Sequence, residues 1–179
     1  YYMMQNGAYL IDRDQMERLE KVVLVEKDGK YCINKKWVGK DAKKILHEIG
    51  IEVGDEVRCI ICEAQFEDHF VQIELMMPIL AIVRVADIDT AISMAVKAEH
   101  GLRHTAHMHS KNIDNLTRFA REVETTIFVK NAPSYAALGV GSEGHCTFTI
   151  AGPTGEGLTS AKSFTRRRKC TMVDSFRIV

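Results

Sequence analysis

ILAIVRVADIDTAISMAVKAEHGLRHTAHMHSKNIDNLTRFAREVETTIFVK, the segment from Ile79 to Lys130, decides the fold class. It opens on a continuous apolar run, Ile79 to Val85, and then places Ile88, Ala91, Ile92, Ala95 and Val96 on one helical face. A strand-like stretch follows at Thr105 to His109. Ile113, Leu116, Ala120 and Val123 mark a second helical face, and Thr126 to Lys130 closes the segment with β-branched and aromatic residues. Strand, helix, strand, helix, strand at this spacing is the pattern of parallel βαβ units, whose strands are buried on both faces by crossover helices. The expected fold class is therefore α/β, built on a parallel sheet.

Toward the N-terminus, Val57 to Ala64 is a further apolar strand. Asp41 opens a helix carrying Ala42, Ile45, Leu46 and Ile49 at helical spacing, and Gly50 ends it. Lys27-Asp28-Gly29-Lys30 reads as a turn between strands at Val22 to Glu26 and Tyr31 to Asn34. Asp14-Gln-Met-Glu17 has capping-box spacing and opens a helix with Met16, Leu19 and Val22 or Val23 on one face. Tyr1 to Gln5 runs into Asn6-Gly7 as a helix end without its beginning, so the chain is expected to be the C-terminal piece of a longer protein.

Toward the C-terminus, Gly139 to Ser160 contains two near-copies of phosphate loops. Gly139, Gly141 and Gly144 have G-x-G-x-x-G spacing, but a strand-like Cys146 to Ile150 follows where a helix is required. Gly152 to Thr159 matches the P-loop except that Leu158 replaces the lysine and Glu156 adds a negative charge. Both are read as glycine-permitted turns in a cleft or surface loop. Cys170 to Val179 alternates enough to be a strand that pairs with another chain.

With 179 residues, 46% of them hydrophobic, the chain supports one sizeable core, a single domain with an appendage. Its formal net charge is zero, so no global field draws nucleic acid or an anionic membrane, and Arg166 to Lys169 lacks interleaved aromatics. No apolar run reaches membrane length. Five cysteines, an odd number, without a signal peptide suit a reducing cytoplasm. Cys59 and Cys62 have redox spacing but lie inside an apolar strand.

His100, His104, His107 and His109 form the densest titratable cluster, but the segment changes structure between them and no H-E-x-x-H is present, so no metal is expected. Functional residues of such sheets lie beyond the strands' carboxyl ends, which points to Glu63 to Gln72, His109 to Asn112 and Asn131 onward. Glu74, before Leu75-Met-Met-Pro78, is either a solvated loop charge or an acceptor for a sugar hydroxyl. No serine elbow is present, and Cys146 has no base nearby in sequence.

Glu99-His-Gly-Leu-Arg-His-Thr-Ala106, Thr125 to Asn131 with Pro133-Ser-Tyr135, and Thr147 to Ala161 together resemble the aldehyde dehydrogenase superfamily, and within it the CoA-acylating branch of propanediol and ethanolamine utilisation. The resemblance runs from about Asn6 to the end. It implies short-chain aldehyde, CoA and NAD as reactants, with a cysteine nucleophile and a Rossmann domain that lie outside this chain, so the chain alone is expected to be inactive. It also implies that Glu74, with Pro78 in Glu-x-x-x-Pro, holds the nicotinamide ribose; Met76 stands where hydrolytic members have phenylalanine. His104 matches a histidine of acylating relatives and is the candidate for the thioester step. Pro133, Ser134 and Tyr135 would line the aldehyde tunnel. Residues 1–165 would form part of the catalytic domain, and 166–179 a homo-oligomerisation arm. A cytoplasmic or microcompartment setting follows from the same likeness. The alternative is a non-catalytic assembly module acting through the arm.

Overall fold

The structure is a computed structural model of residues 1–179, and it describes residues 1–139, 141, 146–147, 159–169, 171 and 173. The fold is α/β, as expected, and groups into two compact units, Tyr1–Met94 and Ala95–Val179. Gly144, Gly152 to Leu158 and nearly all of Cys170 to Val179 lie outside the described residues.

In the first unit a single helical turn, α1 (Tyr2–Gln5), leads into β1 (Ala8–Ile11) and α2 (Arg13–Val23). A hairpin of β2 (Leu24–Lys27) and β3 (Lys30–Ile33) follows, then α3 (Ala42–His47), β4 (Cys59–Glu63), α4 (His69–Gln72) and β5 (Ile79–Ile82). The sheet order is β1-β4-β5, all parallel, with Tyr9 opposite Ile60 and Ile60 opposite Ile79. One face of this sheet carries Ile11, Ile60, Cys62 and Ile79 into the core.

Helix α2 covers that core with Met16, Leu19 and Val23, each at most 1% exposed. Burying each such side chain contributes about 1.5–3 kcal/mol. Its cap differs from the expected one. Asp12, not Asp14, is the N-cap: its carboxylate accepts from Gln15 N at 2.8 Å, and Gln15 Oε1 accepts from Asp12 N at 2.9 Å. D-x-x-Q does the same work as D-x-x-E, and the end of β1 at Ile11 leaves Asp12 extended at the helix entrance.

α5 (Ile88–Ala98) runs across the division between the units. The second unit then holds β6 (Thr105–Met108), α6 (Ile113–Val123) and β7 (Ile127–Lys130), with β6 and β7 parallel in their own two-stranded sheet. Helix α6 is capped by Asn112, whose side-chain oxygen accepts from Asp114 N and Asn115 N. It buries Leu116, Phe119 and Val123, while Ile113, expected on the apolar face, is 63% exposed. Phe119 meets Phe128 of β7 edge to face at 5.6 Å, the contact that turns the helix this way. Among the described residues, no helix is long and apolar enough to cross a membrane.

Candidate functional site

The second unit contains an open cleft of about 610 Å³ where the segment before β6 meets the 3₁₀ turn Ser134–Leu138 after β7. Its wall combines the apolar Leu102 and Leu138 with Glu99, His104, Ser134 and Tyr135. Three of the residues predicted from the sequence, His104, Ser134 and Tyr135, therefore share one cavity. Pro133 caps the 3₁₀ turn and is not part of the wall.

His104 is held on every side but one. Its backbone N–H donates to Glu99 Oε1 at 3.0 Å, its carbonyl accepts from Ile127 N at 3.3 Å, and ring Nδ1 lies 2.7 Å from Thr105 Oγ1. Nε2 is the one polar atom of His104 without a partner among the described residues. The approach to it is sharply bent: His100, Gly101 and Arg103 all have positive φ, at +54, +73 and +51°. Arg103 is fixed in that state by an ion pair to Glu124 at 2.7 Å and by two bonds from Thr126, N and Oγ1, to its carbonyl at 3.0 Å. Glu99 and Thr105 were not singled out from the sequence, although both fall in the block that carried the family likeness.

The other histidines go elsewhere. His107 and His109 meet edge to face at 5.7 Å, and His107 Nδ1 lies 3.2 Å from Ser134 Oγ. Among the described residues no three His, Cys, Asp or Glu side chains are placed to hold a metal ion.

In the first unit, Glu74 lies in the loop between α4 and β5, exposed and without a hydrogen bond or ion pair among the described residues. A free carboxylate of this kind fits an acceptor for a ribose diol. Met76 beside it is left-handed, φ +54°, and its carbonyl accepts from Gly39 N at 3.3 Å. Pro78 lines a separate open cleft of about 780 Å³ with Lys40, Arg58, Met76 and Met77, whereas Glu74 does not reach its wall.

Glu63 to Gln72, flagged as lying beyond a strand's carboxyl end, is occupied by structural pairs. Glu63 accepts from Arg84 at 2.6 Å, which holds its carboxyl below the usual range. Asp68 accepts from Arg13 at 2.6 and 3.1 Å and from Gln65 N at 2.7 Å, and the Arg13 bonds likewise lower its pKa. Burial, helped by the charge of Asp68, pushes the Cys62 thiol up to about 11. Cys59 and Cys62, three apart on β4, project to opposite faces of the sheet, and both are free thiols. Gly139 and Gly141 are left-handed at φ +97 and +71°, as the turn reading of the glycine-rich stretch requires.

No family model matches the chain. Over 174 residues it is 48% identical to acetaldehyde dehydrogenase (acetylating) EutE of Escherichia coli strain K12, covering 96% of this chain and 37% of the relative. It is 45% identical over 177 residues to propanal dehydrogenase (CoA-propanoylating) of Salmonella typhimurium, with 98% and 37% covered. The solved structure of Rhodopseudomonas palustris propionaldehyde dehydrogenase with bound propionyl-CoA is 54% identical with a TM-score of 0.86, over 95% of this chain and 37% of that one. The chain spans a little over a third of the length of these relatives.

Proposed function

Because this chain is homologous to a segment of the CoA-acylating aldehyde dehydrogenases, we propose that it is the C-terminal catalytic portion of such an enzyme, which converts a short-chain aldehyde, CoA and NAD to acyl-CoA and NADH. The reading rests on one observation: His104, Ser134 and Tyr135 converge on a single cleft with apolar walls. Leu102 and Leu138 offer apolar surface to a small alkyl chain, and His104 presents Nε2 to its carbonyl end. Pro133 shapes the tunnel by starting the turn that carries Ser134 and Tyr135. Glu74 is the acceptor for the nicotinamide ribose, and Pro78 fixes the start of β5 behind it through its carbonyl, which accepts from Ile60 N at 2.8 Å. NAD, when bound, supplies the hydride acceptor.

Residues 1–165 belong to the catalytic domain in this reading, and 166–179 form the arm that joins a second copy. The setting is cytoplasmic, and encapsulation is in keeping with a 52% identical propionaldehyde dehydrogenase from the Clostridium phytofermentans fucose utilisation bacterial microcompartment.

The test is NADH formation from propionaldehyde and CoA by the full-length protein and by this chain. The full-length protein turns over, and the isolated chain does not, because the nucleophilic cysteine and the dinucleotide domain lie outside it. His104→Gln in the full-length protein lowers kcat/KM by about 10²–10³, the usual range for losing one hydrogen-bond donor to a developing oxyanion. Turnover by the isolated chain, or a variant within about twofold of the parent, overturns the assignment.

A further inference from the structure

We infer that Thr105 is a positioning residue that fixes His104 in the tautomer with the proton on Nε2, so that the histidine faces the cleft as a hydrogen-bond donor for a carbonyl oxygen and not as a base. The inference deepens the proposed function and rests on its assignment of the cleft.

The argument is one of donors and acceptors. Thr105 Oγ1 and His104 Nδ1 are 2.7 Å apart, so one of the two atoms carries the shared proton. Among the described residues, Nδ1 is the one acceptor within hydrogen-bond distance of that hydroxyl. If Nδ1 were the donor, the hydroxyl proton would have no protein acceptor and would be left to water in the open cleft, which Thr105 also lines. With the hydroxyl donating, both atoms are satisfied, and the neutral ring must hold its proton on Nε2. This is also the tautomer that a neutral imidazole side chain prefers in water, so the hydrogen bond and the intrinsic preference act together.

The backbone makes the arrangement firm. Glu99 holds the N–H of His104 and Ile127 N its carbonyl, while the ladder of β6 with β7 holds Thr105 opposite Ile127. These bonds fix the backbone from which both side chains project. An N–H fixed in this way, at a wall that also carries Leu102, Leu138 and Tyr135, is suited to an aldehyde or thioester oxygen, on which negative charge builds during acyl transfer.

Long-range proton–nitrogen spectra of the uniformly ¹⁵N-labelled chain at alkaline pH test this. The His104 signals are identified by their loss in His104→Gln. The expected spectrum has a protonated, pyrrole-type Nε2 and an unprotonated, pyridine-type Nδ1, with the excess of this tautomer roughly five- to tenfold greater than in a free imidazole, as one hydrogen bond of ordinary strength would give. Thr105→Val removes the donor and brings the excess down to that of a free imidazole; Thr105→Ser restores it. A protonated Nδ1 in the unmodified chain overturns the inference, and so does an excess unchanged in Thr105→Val. Should the valine variant fail to fold, Thr105→Ala, which also lacks the hydroxyl, takes its place in the same comparison. None of these readings needs turnover, so the tautomer can be wrong while the enzyme assignment stands, and the reverse.

Discussion

Gly7→Ala is expected to destabilise the first unit far more than the same change at Gly29. Both glycines are left-handed, φ +88 and +72°. For an alanine that conformation costs about 1–2 kcal/mol. At Gly29, in the hairpin turn, a Cβ would meet nothing within 4 Å, so the cost ends there. At Gly7 the Cβ would stand 2.5 Å from the backbone carbonyl oxygen of Glu56. Neither side can yield cheaply, because the Gly7 carbonyl also accepts from Arg58 N at 2.7 Å and Cys59 N at 3.2 Å, the bonds that set the entry of β4 beside β1. Relieving such an overlap adds about 1–3 kcal/mol. The total for Gly7→Ala is then about 2–5 kcal/mol, a large share of the stability of a domain this size. Urea unfolding followed by fluorescence reads it directly, since Trp37 is the sole tryptophan, lies in the first unit and is 6% exposed. Equal midpoints for the two variants would refute the close-approach argument.

Asp68→Asn should cost about 1 kcal/mol at neutral pH, the worth of an ion pair whose arginine is half exposed and screened. The folded pKa of Asp68 is depressed, so its contribution is present above the unfolded value of about 3.9 and fades as pH falls through the folded one. The two stability curves should therefore converge in acid, and a constant gap would contradict the pairing. Cys62, with its thiol at about 11, should be the last of the described cysteines to be alkylated at pH 8 and should react promptly in denaturant; peptide mapping after timed iodoacetamide treatment shows the order. Removing residues 170–179 should reduce the oligomer of the full-length protein by light scattering, and an unchanged mass would remove the arm from the proposal.

Most of the strands and helices were legible because each carries its own apolar pattern, and β4, β5 and β7 lie inside the runs read for them, whereas β1 and the single turn α4 are too short to show one. What could not be read was the choice between equivalent local solutions. Asp12-Arg-Asp-Gln15 and Asp14-Gln-Met-Glu17 both satisfy a capping rule, and only the end of β1 decides between them. Leu116 and Val123 fix a helical face, but Phe119 and Ala120 straddle its centre, and a phenylalanine on the neighbouring strand drew Phe119 inward. Pairing across long sequence gaps was likewise hidden: β1 lies beside β4, about fifty residues on, with the β2–β3 hairpin and α3 between them.

The candidate site was partly legible for a different reason. His104 stood out by its chemistry, whereas Thr105 and Glu99 act only through it. Their role depends on a backbone that bends left-handed at His100, Gly101 and Arg103 before entering β6. A left-handed non-glycine residue costs on the order of 1–3 kcal/mol, and Glu124, at φ +47°, is a third such residue in the same neighbourhood. No periodicity or propensity favours that run. It persists because Arg103 and Glu124 are paired with each other and Thr126 grips the carbonyl of Arg103 twice. Strain concentrated beside His104, which lines a cleft, separates a site from a packed core. Beside that strained run, Glu99 and Thr105, which no chemistry of their own singled out, are the residues that hold His104.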